Sequence, residues 1–242
     1  MPHQFAVLLA AAGKSHRFAD GKNNSNDTAS KKPFVDLCGR PVWQHSATLF
    51  AADDRVRQLI VVLSPEDRAF FETTYARQIA QWSLELTDGG AERFESVENG
   101  LRFVRSDIDF VAIHDAARPC VTTEQIHAVF HAAEQCDAAI LAVPLVGTIK
   151  RAISSNGTPP VIAATVPRDD LWEAQTPQVF RRELIVDALS RRGNMRVTDD
   201  AQFVENIGHP VKIVPSDRSN LKITTASDLV LARFLLENRE MS

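Results

Sequence analysis

Cysteine is scarce in this chain, and the three present follow no pattern. Cys38, Cys120 and Cys136 make no CxxC pair and no metal-ligand spacing. A disulfide framework and a cysteine-based metal centre are set aside, and the three read as small buried hydrophobes in a reducing compartment. Long apolar runs are missing as well: none reaches the ~18 residues that cross a bilayer. The N-terminal apolar run has no Lys or Arg before it, unlike a signal peptide, so it reads as a first strand and the protein as cytoplasmic. Positive charge is not in excess, since 27 Lys and Arg face 31 Asp and Glu for a net charge of −4. Nothing draws the molecule as a whole to nucleic acid or to an anionic membrane, and any polyanion must be met by a local cluster of cations.

The commoner nucleotide and hydrolase signatures are also lacking. There is no GxGxxG. Gly13, Lys14 and Ser15 match the ending of a Walker A loop, but Leu8 stands where that motif needs its first glycine. His127 and His131 lie one helical turn apart without a Glu or a third ligand, which is no zinc site. His114 and Asp115 are neighbours on an expected strand and point to opposite faces, so they cannot form a triad.

What is there is an alternation of strands and helices over 242 residues, 44% hydrophobic and 24% charged, the profile of a single globular domain spanning 1–242. Continuous apolar runs at 5–10, 58–63, 84–86, 110–113 and 138–143 read as strands buried on both faces. Helical periods fill 42–52, 65–82, 92–104 and 122–135, the last opened by a capping box of Thr122 and Gln125. This order implies an α/β fold with a mostly parallel sheet and ligands at the carboxyl ends of its strands. Two stretches break the rhythm. Residues 20–31 are polar and without period, a surface loop. Residues 148–170 carry Asn156-Gly157 between two extended apolar stretches, a β-hairpin that would project as an arm and pair with another subunit. Further on, helices at 182–191 and 198–206, a strand at 211–214 and a last helix from about Thr225, boxed by Asp228, complete the pattern.

Three segments carry chemistry. Phe5–Gly13 is a buried strand ending in small residues, where a backbone can approach a base or a phosphate, with Arg17 just beyond. Lys32 could reach back to the same phosphates. His114-Asp115-Ala116-Ala117-Arg118-Pro119 ends another strand at the ligand edge of the sheet, where Asp115 can orient a ribose, a hydroxyl or a metal-bound water, or simply pair with Arg118. Together these residues suggest an enzyme that handles a nucleoside triphosphate.

With the loop Asp88–Arg93 and Ser96, the motifs at 144–150, 168–172, 175–180, 197–200 and 220–224, and HisAspAlaAlaArgPro, the chain resembles the 2-C-methyl-D-erythritol 4-phosphate cytidylyltransferases of non-mevalonate isoprenoid synthesis. The pieces come in family order over nearly the whole chain. The resemblance implies a Rossmann-like nucleotidyltransferase fold with a projecting hairpin arm at 148–170. It implies transfer of a cytidylyl group from CTP to methylerythritol phosphate, with Mg²⁺ as cofactor and a homodimer whose arms are exchanged. The sister enzyme acting on ribitol 5-phosphate is the alternative. Carried over residue by residue, Arg17 and Lys32 would stabilise charge on the α-phosphate. Arg168 and Lys222 would position the acceptor phosphate, and Asp115, Arg118, Thr148, Thr176 and Thr198 would line the acceptor site. Ala11, Ala12, Gly13, Gly90 and Ser96 would surround the cytidine nucleotide. Three departures from the family pattern stand out: Ser15 in place of a second glycine, the longer segment 20–31, and Ala91 where an Asp is common.

Overall fold

A seven-stranded mixed sheet organises the chain. In the computed structural model, the residues described are 2–13, 28, 31–153, 159–193, 195 and 197–239. In chain order the first elements are β1 (Phe5–Ala10), the short strands β2 (Asp36–Leu37) and β3 (Arg40–Pro41), α1 (Val42–Ala51) and β4 (Val56–Leu63). Next come α2 (Arg68–Thr74), α3 (Ala76–Trp82), β5 (Glu85–Asp88), α4 (Arg93–Phe103), β6 (Phe110–Asp115), α5 (Thr123–Cys136) and β7 (Ala138–Pro144). The remainder is β8 (Ile149–Ile153), β9 (Val161–Val166), β10 (Trp172–Arg181), α6 (Arg182–Ser190), α7 (Ala201–Asn206), β11 (Lys212–Pro215) and α8 (Ala226–Arg239).

The main sheet has the order β11-β7-β10-β6-β1-β4-β5. All its neighbours pair in parallel except β10, which runs against both β6 and β7. The continuous apolar runs follow from cover on both faces. Phe5, Val7 and Leu9 of β1 face one core, with Phe50, Phe71 and Phe130 from the helices on that side. Leu8 faces the other, with Val97, Leu101, Ile185 and Phe203. A third, smaller cluster of Leu37, Val42, Cys120, Ile223 and Ala232 seats α8 against the β2–β3 corner.

Several expectations change in detail. The helix expected over 65–82 is a 3₁₀ turn at Pro65–Asp67 and two short helices broken at Tyr75, whose ring is drawn into a cluster with Trp43, Phe71 and Phe34. The helix expected from 198 begins at Ala201. Strand β10 is not among the strands the sequence predicts. Cys38 is exposed, not buried, and sits at positive φ in the β2–β3 turn; Cys120 is buried and Cys136 half-buried, all three as free thiols. The arm is a two-stranded sheet of its own, β8 with β9, antiparallel from Ile149↔Val166 to Ile153↔Val161. Its Asn156-Gly157 turn lies outside the described residues, as does most of 20–31.

Candidate active site

The carboxyl ends of β1, β5 and β6 open into one cleft of about 360 Å³. It lies where the parallel strands diverge on either side of β1, the place at which open α/β sheets bind ligands. Its floor is backbone: Ala10–Gly13 leaving β1, and Gly90–Arg93 leaving β5. Its charged lining is Lys32, Arg93, Asp115, Lys222 and Glu92.

The β5 turn is built tightly. Glu92 and Glu95 form a capping box at the start of α4, the Glu92 N–H donating to Glu95 Oε2 at 3.1 Å. Ser96 Oγ accepts from the Gly90 N–H at 3.0 Å and donates to the Glu92 carbonyl at 3.3 Å, which folds the turn back over the helix start. A Cβ on Gly90 would lie 2.3 Å from Glu95 Cβ, and one on Gly89 would lie 2.5 Å from Ala12 Cβ. The two glycines are therefore required by the close approach of the two floor segments and of the cap.

Asp115 is the electrostatic centre. Its carboxylate meets Lys222 Nζ at 2.7 Å, Arg93 Nη2 at 3.5 Å and Arg118 Nε at 3.8 Å. Burial by itself would raise its carboxyl; Lys222, Arg93 and Arg118 overturn that and hold it well below the usual carboxylate range. Arg93 in turn is tied from behind by Asp200, fully buried, at 2.7 Å. Burial raises the Asp200 carboxyl, and Arg93 opposes this only in part. The Asp200 N–H and the Ala201 N–H both donate to Gln178 Oε1 at 3.0 Å, so β10 fixes the start of α7.

A buried polar layer under the cleft supports this centre. The Asp115 N–H donates to Thr176 Oγ1 at 3.0 Å, and Thr176 lies 3.2 Å from His114 Nδ1. His114 Nε2 lies 3.1 Å from the Arg118 carbonyl. These contacts are satisfied together when the Thr176 hydroxyl donates to Nδ1 and a neutral His114 donates through Nε2–H. Burial pushes His114 down to about 4, in keeping with that neutral form. His114 is thus a strut edge-on to Phe50, while its neighbour Asp115 faces the cleft. Arg118 Nη1 donates to the Asn220 carbonyl at 2.7 Å, and Asn220 Nδ2 donates to Gln175 Oε1 and the Thr176 carbonyl, each at 3.0 Å. Buried Asn220 and Ile223, the latter bonded through its N–H to the Ala117 carbonyl at 2.8 Å, clamp the segment that presents Lys222.

The expected site residues therefore divide. Ala11, Ala12, Gly13, Lys32, Gly90, Ser96, Asp115 and Lys222 come together in the cleft. Arg118 and Thr176 are buried in the layer behind it and act on Asp115 rather than lining the cavity. Thr148, Arg168 and Thr198 are exposed outside it; Arg168 donates to the Val146 carbonyl at the foot of the arm. Arg17 lies outside the described residues. Arg93, Glu92 and Thr224 also line the cleft, beyond the residues the sequence predicts. In the sequence the motif around Arg93 points only to its glycines, because the partner that explains Arg93, Asp200, is remote in sequence.

The family model for IspD, 2-C-methyl-D-erythritol 4-phosphate cytidylyltransferase, matches residues 5–238. The 2-C-methyl-D-erythritol 4-phosphate cytidylyltransferase of Geobacillus kaustophilus (strain HTA426) is 39% identical over 237 residues, covering 97% of this chain and 98% of its own length. That of Dechloromonas aromatica (strain RCB) is 38% identical over 244 residues, covering 99% and 100%. A crystal structure of 4-diphosphocytidyl-2C-methyl-D-erythritol synthase superimposes with a TM-score of 0.77 at 30% identity, over 98% of this chain and 100% of the other. With the family model spanning nearly the whole chain, the chain belongs to the 2-C-methyl-D-erythritol 4-phosphate cytidylyltransferase family.

Proposed function

We propose that this cleft carries out cytidylyl transfer from CTP to 2-C-methyl-D-erythritol 4-phosphate, within non-mevalonate isoprenoid synthesis. The observation that carries the reading is the convergence of Lys32, Arg93 and Lys222 on a cavity floored by the small-residue backbone of Ala11–Gly13 and Gly90. Two polyanions have to meet in this reaction, and each repels the other. An oxygen of the acceptor phosphate attacks the α-phosphorus of CTP; the bond from that phosphorus to the bridging oxygen breaks, and pyrophosphate leaves with the electron pair. A phosphate monoester is nucleophilic near neutrality, so no strong general base is needed. Positioning and charge stabilisation are what the protein must supply.

In this reading the backbone of Ala11, Ala12, Gly13 and Gly90, with Ser96, holds the nucleotide. Lys32 and Arg17 meet the charge that grows on the α-phosphoryl oxygens. Lys222, oriented by Asp115, receives the acceptor, with Arg118 and Thr176 keeping Asp115 in place. Thr198 completes the acceptor side from this chain, and Thr148 and Arg168, on the arm, do so in the partner's site. The cleft's two carboxylates are poor metal ligands as they stand, since Asp115 is claimed by three cations and Glu92 caps α4. They fit a Mg²⁺ that arrives with CTP and draws most of its ligands from phosphate oxygens and water. Bound there, Mg²⁺ would neutralise phosphate charge.

The arm supports a homodimer with arm exchange. Its Ile153, Val161 and Ile162 are each more than 60% exposed, a surface that a partner subunit would cover. Thr148 and Arg168 stand at the foot of this arm, outside the chain's own cleft, where they can serve the partner's site. We read residues 1–242 as one catalytic unit with the arm at 148–170 inside it. Among the described residues no helix is long and apolar enough to cross a membrane. The three free thiols suit a cytoplasmic setting.

Assaying pyrophosphate release with CTP and Mg²⁺ against both acceptors tests the reading. One pyrophosphate per methylerythritol phosphate consumed, with ribitol 5-phosphate much the poorer acceptor, is the expected result. A preference for ribitol 5-phosphate would overturn the choice of acceptor, and no release with either would overturn the reaction.

A further inference from the structure

Lys31, the neighbour of Lys32, is not among the residues lining the cleft. Its Nζ donates to Asp67 Oδ1 at 2.7 Å and to Glu66 Oε1 at 2.6 Å. Asp67 is buried, with its side chain only 2% exposed, and it also accepts from Thr28 Oγ1 at 3.2 Å. A pair with a buried carboxylate differs from the surface pairs that contribute little, because a buried carboxylate deprived of its cation is left without compensation. Burial would lower the Lys31 ammonium, and the hydrogen bonds from Asp67 and Glu66 outweigh it and raise it.

The backbone around Lys31 is fixed as well. Its N–H donates to the Thr28 carbonyl at 3.1 Å, and its own carbonyl accepts from the N–H groups of Phe34 at 2.9 Å and Val35 at 3.2 Å. On the far side of Lys32, the Pro33 carbonyl accepts from the Trp43 N–H at 2.9 Å. The Phe34 ring lies buried against Phe70 and Phe71, with centroids at 5.6 and 6.1 Å. Both anchors grip the same piece of chain, the 3₁₀ turn Pro65–Asp67 and the helix α2 that follows it. Lys32 sits between an ionic anchor on one side and an aromatic anchor on the other, at the rim of the cleft.

We infer that Lys31, through its ion pair with buried Asp67, is a positioning residue that sets Lys32 against the reacting phosphate. The inference rests on the reading of Lys32 as the cation that meets charge developing on CTP. The aromatic anchor alone fixes the end of the turn after Lys32. The ion pair fixes the end before it, so that the flexible Lys32 side chain starts from a defined backbone. Displacement of a reacting group by about an ångström is enough to slow a reaction roughly 100-fold.

The test is a double-mutant cycle of Lys31→Met and Lys32→Ala, followed by steady-state kinetics with CTP, Mg²⁺ and methylerythritol phosphate. Lys31→Met is expected to lower kcat roughly 10- to 100-fold while KM for CTP moves less than about threefold. Lys31→Arg, which keeps the charge and the reach, restores most of the rate. In the Lys32→Ala background, adding Lys31→Met lowers kcat by no more than about twofold, because the residue acts only through Lys32. Wild-type kcat in Lys31→Met, or a full multiplicative loss in the double variant, overturns the inference while leaving Lys32 its role. Wild-type kcat in Lys32→Ala overturns the role of Lys32, and the inference falls with it. Circular dichroism melting verifies that each variant is folded; should Lys31→Met fail to fold, Asp67→Asn carries the same arms, and wild-type kcat in that folded variant is equally decisive.

Discussion

In the proposed reaction, Lys32 is the side chain whose loss should separate binding from chemistry most cleanly. It lines the cleft beside the backbone that would hold CTP. In the proposed reaction its contribution would grow as charge moves onto the transferring group, so it would act on the transition state more than on the bound nucleotide. Lys32→Ala is expected to lower kcat on the order of 10²- to 10³-fold, by analogy with removal of an oxyanion-hole donor, and to change the CTP dissociation constant little. Steady-state kinetics and calorimetric CTP titration measure the two; equal losses in both would contradict the role. Arg93 shows a different kind of dependence. It stands between ionised Asp115 and buried Asp200. Arg93→Met leaves Asp200 without a cation, at a cost of about 3 kcal/mol while it stays ionised. An acid raised by burial favours the folded chain only while it holds its proton, so that cost is small at acid pH and grows as pH rises through the raised value. Urea unfolding of wild type and variant is therefore expected to give a larger difference at pH 8 than at pH 5. A difference independent of pH would contradict the account. These partners explain why the site was only partly legible in the sequence. Asp115 could be placed at a strand end from its motif. The arginine that holds it, and the aspartate that holds the arginine, meet only through tertiary structure.

The turn between β5 and α4 is where element geometry meets the proposed nucleotide site. Gly90 packs against Glu95, whose carboxylate caps its own helix. Gly90→Ala must displace Glu95 as a whole, since the new Cβ would lie 2.3 Å from Glu95 Cβ and 2.7 Å from its Oε2, losing the cap at about 1 kcal/mol with further strain in the turn. The expected outcome is a lower melting temperature and weaker CTP binding together, read by calorimetry on one preparation. A variant with both unchanged would show that the turn has slack. Legibility at this scale followed the covering of the sheet. Strands β1, β4, β6 and β7 carry uninterrupted apolar runs because helices cover both faces, and each was readable. Strand β10 was not, because Gln175, Thr176, Pro177 and Gln178 interrupt its apolar pattern. Those residues are buried all the same, since their polar groups pair with Asn220, Asp115 and Asp199. A polar strand in the middle of a sheet becomes legible only when its partners are known. The single helix expected at 65–82 failed for a related reason: packing of Tyr75 into the aromatic cluster overrides the local helical period.

At the scale of the whole molecule, the described cleft holds Lys222 and Asp115 while Thr148 and Arg168 stand apart on the arm. If the arm serves a second subunit, two inactive variants can complement each other. Mixing Arg168→Ala subunits with Lys32→Ala subunits is expected to regain up to about a quarter of wild-type activity, the share of sites built from two unaltered contributions when subunits assort randomly. Verified hybrids without regained activity would contradict arm exchange. Beneath this lies the central claim, that nucleotide and acceptor meet at the carboxyl ends of β1, β5 and β6 under cations drawn from distant parts of the chain. The most direct measurement is a crystal structure of the protein with CTP and Mg²⁺. The account predicts the base against Ala11–Gly13 and Gly90, the α-phosphate within hydrogen-bonding reach of Lys32, and Lys222 facing the open acceptor side. A triphosphate seated elsewhere on the molecule, or seated in this cleft with Lys32 pointing away from it, would contradict the account.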